Sequence, residues 1–469
     1  MQHNVQTFSG MPIAHRSAAT WISATLVLLA GACKSDSARA PALSFESFEL
    51  PNGLKVVIHE DHSTPIAVVD TWYHVGSGDE KPGRTGFAHL FEHVMFMGSE
   101  HVPYGQFDKL LEAAGVDNNG STTEDRTNYF ELGPSNAVPL KLWLDADRMG
   151  WLLPTMDQQK LDAQRDVVKN ERRQSVDNVP YGRADETILA AMYPKGHPYS
   201  WPVIGSLEDL SAATLEDVKE FFRMYYAPNN ATIVIAGDVD PDSIRAWVTK
   251  YFGEIPRGRN APVRPTVTPV SLAKDTTLVL EDRVQLPRIY YTWPTIPAFH
   301  ADEAPLDHLA DILGGGRSSR LYRRLVYEMQ IAQDVYAGHP AFKLAGNFEI
   351  VCTPAPGHTP AEVARVIDEE VAKMLAAGIT DRELERAKNS RRASFLDNLS
   401  SIFGKAETLN RYNYFTGSPD YVAKDMARYD NVTQGDVARV AKEYLSKGKV
   451  VLTVVPEGQR DLALVGAAQ

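Results

Sequence analysis

The sequence predicts an α+β chain of two homologous domains, each a largely antiparallel sheet with helices packed on one face. Two observations predict it. Segments that alternate apolar and polar residues, the mark of half-buried strands, are interleaved with several amphipathic helical stretches in each half. The order of these segments then recurs in the second half, as expected of a duplicated unit. Thr214-Leu215-Glu216-Asp217-Val218 opens a helix that leads to Tyr226 and a strand from Ala231. Thr433-Gln434-Gly435-Asp436-Val437 opens another that leads to Tyr444 and a strand from Val450. Each Thr is placed to cap its helix, and the Asp three residues on returns the bond in a capping box. Earlier in each half a strand, 69–75 or 289–295, precedes a helix, and a chain of 469 residues is long enough for two cores.

Taken in order, residues 1–33 read as an export signal. Arg16 supplies a positive flank, and the apolar run from Ala18 to Ala32 is too short to span a bilayer comfortably. It ends in Leu29-Ala30-Gly31-Ala32-Cys33, which resembles a lipobox, with Cys33 as the lipidated residue; cleavage after Ala32 and release of a soluble periplasmic protein is the alternative. Either way the chain is exported, and the sole membrane contact expected is the N-terminal anchor. Residues 34–43 form a polar tether, and 44–255 the first domain, whose opening strand alternates Leu54, Val56 and Ile58. A stretch rich in proline and charge, 256–272, reads as the linker, and 273–469 as the second domain. A formal charge of -12 offers no basic surface for nucleic acid and favours basic over acidic peptides. Two cysteines, Cys33 and Cys352, exclude a disulfide framework, and Cys352 reads as a buried strand residue.

The strongest signal is His89-Leu90-Phe91-Glu92-His93. On a helix His89 and His93 project from one face, one turn apart, and two neutral imidazoles can share a zinc ion. Glu92 beside them can take a proton from a water activated by that ion, in the inverted arrangement of the zincin motif. Glu171, on a helix from 158 to about 177 whose apolar side is Leu161, Val167 and Val168, is the candidate third ligand. Taken alone, the histidines also fit a hydrogen-bonded core cluster, and Glu171 a solvated charge within Lys169-Asn170-Glu171-Arg172-Arg173.

Four stretches together resolve these alternatives: Gly86 to Phe96, Gln164 to Glu171, His197-Pro198-Tyr199, and Leu313-Gly314-Gly315-Gly316-Arg317-Ser318-Ser319-Arg320-Leu321. They resemble the pitrilysin and insulinase family of peptidases, on the side of its short-chain bacterial members and the catalytic subunit of mitochondrial processing peptidase. The resemblance covers most of residues 44–456. It implies one zinc ion held by His89, His93 and Glu171, Glu92 as general base, endopeptidase activity, and a closed chamber for extended peptides. Asn119-Gly120-Ser121-Thr122 and Thr127-Asn128-Tyr129 match an edge strand that pairs with substrate, which implies substrate-binding roles for Asn119 and Tyr129; an Asn-Gly hairpin turn is the other reading.

Two positions depart from the family pattern. Gln164 stands one heptad before Glu171 where the family often has a second glutamate; it can orient Glu171 by hydrogen bonding but carries no charge. Val326 and Gln333 stand where related enzymes carry an arginine and a tyrosine that reach the developing oxyanion. This predicts a heterodimer with a paralogue that lacks the histidine motif and supplies that pair, a homodimer being the other arrangement. A non-catalytic peptide-binding scaffold of the same fold is the rival reading of function.

Overall fold

The computed structural model describes residues 42–264 and 267–464; the expected signal, Cys33 and the expected tether up to residue 41 lie outside them. No described helix is long and apolar enough to cross a membrane. Among the described residues eleven strands make two sheets: β1 (Glu46–Glu49), β2 (Lys55–Glu60), β3 (Ile66–Tyr73), β4 (Asp117–Thr122), β5 (Thr127–Pro134) and β6 (Ala231–Gly237), then β7 (Thr276–Asp282), β8 (Arg288–Thr295), β9 (Ala332–Gly338), β10 (Gly346–Pro354) and β11 (Val450–Pro456). The first sheet runs β1-β2-β6-β3-β5-β4 and the second β7-β11-β8-β10-β9. Without β1 the two orders are the same. Each has one parallel pair, β2 with β6 and β7 with β11, and is otherwise antiparallel. Each has its corresponding strand at one edge, β4 or β9.

The expected capping boxes form, with Thr214 paired to Asp217 and Thr433 to Asp436. The histidine-bearing helix has its counterpart in Glu303–Gly314, where His308 is fully buried with Nε2 3.1 Å from the Tyr429 carbonyl oxygen. Cys352 is a free, buried residue of β10.

The helices of each half pack on one face of its sheet as expected, and the opposite face is covered as well, by a helix of the other half. Helix Ile402–Thr416 of the second half lies on the outer face of the first sheet, where Ile402, Ala406 and Leu409 meet Val57, Val68, Val234 and Ala236. In return, helix Ala184–Met192 of the first half places Ile188 and Met192 against Val450, Leu452 and Val454. This explains why β3 starts at Ile66 and not at the expected Val69: a strand buried on both faces reads as a continuous apolar run, here Ala67-Val68-Val69 after the exposed Ile66, without alternation. The 256–272 stretch is anchored as well. Its Arg264 pairs with Asp79 and Asp125, and Asp125 also accepts from Tyr199 Oη at 2.6 Å and the Lys343 backbone N–H at 2.7 Å.

Candidate metal centre

The first element of the candidate site is helix Phe87–Val94. Its Phe87, Leu90, Phe91 and Val94 turn into the core, which leaves His89, Glu92 and His93 on the opposite side. Gly86 starts it in the left-handed region at φ 83°, a conformation only glycine adopts without strain, and provides no side chain to cap it. The cap comes instead from Glu80, a buried carboxylate that accepts the N–H groups of Gly86 at 2.9 Å and Ala88 at 2.8 Å.

The second element is helix Gln158–Arg172, started by the Asp157 side chain accepting from the Lys160 N–H at 2.9 Å. It buries Leu161 and Val168 and carries Glu171 in its last turn, before one wider turn over Arg173–Asp177. Glu171 Oε2 lies 3.1 Å from His93 Nε2, and Oε1 lies 3.7 Å from His89 Nε2. The two imidazole rings meet edge to face, 4.9 Å apart. One ligand atom from each residue falls within 4.8 Å of the others.

This donor set suits a zinc ion. Burial, with His93 nearby, lowers the His89 pKa to about 4, and burial lowers that of His93 despite Glu171, so both rings are neutral at pH 7 and have lone pairs to give. Two imidazoles and one carboxylate leave a coordination position for water, and the Glu171 side chain is 41% exposed, so the site opens to solvent. Glu92 sits beside it with Oε2 accepting from Thr122 Oγ1 at 2.7 Å. Burial lifts its pKa, Glu171 adds to the rise, and the Thr122 hydrogen bond opposes it. Such a carboxylate is a better proton acceptor than a solvated one.

The other expected residues fall differently. Asn119 is exposed on β4 opposite Phe130, so Asn119-Gly120 is strand and not turn, and its Oδ1 accepts the Gly120 N–H at 2.8 Å. Tyr129 is fully buried under the histidine helix, with its hydroxyl 3.4 Å from the Phe91 carbonyl oxygen and 3.3 Å from Tyr226 Oη; a side chain so enclosed cannot touch substrate. The Gln164 amide donates to Met97 Sδ at 2.6 Å, so its hydrogen bond goes to the segment after the histidine helix and not to Glu171. Val326 is partly buried in the second core and Gln333 is exposed on β9. Of the neighbouring arginines, Arg323 pairs with Glu328, and Arg324 with Glu369 and Glu370. Sequence reasoning missed Glu80 and Thr122. An acidic residue just before an uncapped helix was the one available signal for Glu80; Thr122 lay within a recognised segment but with no role.

Residues 55–204 match the family model described as "Insulinase (Peptidase family M16)", and residues 212–391 match "Peptidase M16 inactive domain". The zinc protease PqqE of Helicobacter pylori is 30% identical over 430 residues, which is 90% of this chain and 95% of that protein. The chain belongs to peptidase family M16. The site lies wholly within the first matched M16 segment, and the second, described as inactive, starts inside the first half at residue 212 and runs to 391, across the helix that carries His308. A probable mitochondrial-processing peptidase subunit beta of Arabidopsis thaliana is 25% identical over 87% of this chain and 77% of its own length. The crystal structure of a protease from Helicobacter pylori superposes with a TM-score of 0.83 at 28% identity, covering 89% of this chain and all of that one. The pitrilysin-family resemblance and the two-part α+β fold are thereby borne out.

Proposed function

We propose that this M16 chain is a zinc endopeptidase that hydrolyses extended peptides or small unfolded proteins. The observation that carries the reading is the convergence of His89, His93 and Glu171, from two separate helices, beside a half-buried Glu92. One zinc ion per chain would be held by those three residues. When bound, it supplies a Lewis acid that acidifies water and polarises the scissile carbonyl. Glu92 accepts the proton from the attacking water and returns it to the leaving amine, while Thr122 holds its carboxylate in place. The edge strand β4 ends at Thr122, next to Glu92. A peptide adding as a further strand there receives main-chain hydrogen bonds, with Asn119 on the exposed side of that strand.

The oxyanion pair is supplied by a second family member in a heterodimer, which also closes the chamber over the open side of the site. Val326 and Gln333 support this, as does a relative named as a subunit; a second copy of this chain would bring the same two residues and cannot complete the site. The N-terminal sequence supports export to the periplasm with a lipid on Cys33. To test the function, the signal-less chain and Glu92→Gln are compared on a quenched fluorescent peptide library, alone and with a paralogue lacking the motif. Cleavage by the wild-type mixture only is the expected result. Full activity of the chain alone would discard the partner, and zinc-loaded chain inactive with every partner would favour the scaffold reading.

A further inference from the structure

Glu171 and the two histidines lie on helices far apart in sequence, and a shared ion tolerates little error in the distance between them. A third segment, residues 205–213, sits between those helices and is bonded to both. On the histidine side, the Thr85 N–H and hydroxyl donate to Asp209 Oδ2 at 3.0 and 2.6 Å, and the Ser206 N–H donates to Thr85 Oγ1 at 3.1 Å. Gly205 and Gly86 press backbone to backbone, with φ of +71° and +83°; a Cβ on Gly205 would fall 2.4 Å from the Gly86 Cα. On the other side the glutamate helix grips the same segment with three basic residues spaced along one face. Arg165 reaches the Ala213 carbonyl at 2.5 Å, Lys169 the Ser211 hydroxyl at 2.9 Å, and Arg172 the Gly205 carbonyl at 2.8 Å.

Arg172 differs from the other two. It adjoins Glu171, is buried, and its second nitrogen donates to Glu186 Oε2 at 2.7 Å, so the guanidinium plane is fixed from two directions. Its acceptor is the carbonyl of the residue packed against the start of the histidine helix. We infer that Arg172 is a positioning residue, which sets the separation between Glu171 and the histidines through the Gly205–Gly86 contact. The inference rests on the metal-centre reading. Lysine, a single ammonium on a flexible stem, does not reproduce a fork held by two acceptors.

The test is titration of the metal-free full chain with Co2+, following the d–d absorption that reports ligand geometry. Wild type, Arg172→Met, Arg172→Lys, Arg165→Met and the exposed-site control Arg173→Met are compared, with thermal unfolding recorded for each. Both Arg172 variants are expected to bind Co2+ about ten- to a hundred-fold more weakly, with a shifted band, while Arg173→Met matches wild type. Arg165→Met loosens the same segment away from Gly205 and is expected to keep the wild-type band. Wild-type affinity and spectrum in Arg172→Lys, or an equal loss in Arg165→Met, overturns the inference. If Arg172→Met fails to fold, Arg172→Lys decides. No Co2+ binding by wild type overturns the metal centre itself, a different result from the first two.

Discussion

At the residue scale, the site consists of side chains with separable duties. On the proposed reading Glu92→Gln removes proton transfer but leaves the three proposed ligands, so zinc content is expected to stay at the wild-type level while kcat falls by about 10²- to 10⁴-fold; equal loss of zinc would move Glu92 into the ligand set. Tyr129 was expected to touch substrate, yet it is buried beneath the helix, so Tyr129→Phe is expected to leave KM unchanged. A raised KM in that variant would restore the original reading. His89, Glu92 and His93 were legible because helical spacing alone puts them on one face. Glu80, Thr122 and the Gln164 contact to Met97 were not, because each bond joins segments whose meeting depends on tertiary packing.

At the element scale, the two halves exchange helices, and this accounts for what the pattern reading got right and wrong. Duplication and capping boxes are local, and they were read directly. The exchange is not local: helix Ile402–Thr416 turns the outer face of the first sheet into a second core, which erases the alternation in β3. Leu409 is fully buried in that seam. Leu409→Ala is expected to cost about 2–5 kcal/mol in urea unfolding and to shift one transition common to both halves. Two transitions, with the first half unaffected, would show that the seam does not couple them. The Asn119-Gly120 pair is a comparable case, since a dipeptide that favours turns lies within a strand and the hairpin turns later, near Asp125.

At the scale of the whole molecule, the seam gives stability a dependence on pH. Asp70 is fully buried in β3, accepts from the Asn128 and Asn410 amides at 3.0 and 2.8 Å, and faces Glu407 of the exchanged helix. Burial above all, and then Glu407, raises its pKa well above the ordinary carboxylate value. As pH rises past about 4 the unfolded chain releases this proton while the folded chain keeps it, so stability falls until the folded pKa is passed. Glu407→Gln is expected to shrink the loss of stability between pH 5 and 8; an unchanged slope would remove the pair from that role. Family membership and the two-part architecture were legible in the sequence, and the reciprocal interlock between halves was not, because it is encoded in the outer-face residues of two sheets at once. The central claim is that His89, His93 and Glu171 hold one zinc ion. The most direct test is the zinc content of the purified chain beside Glu171→Gln and His93→Ala. The account predicts zinc at unit stoichiometry in wild type and its loss in both variants, and zinc absent from wild type, or retained in full by either variant, would contradict it.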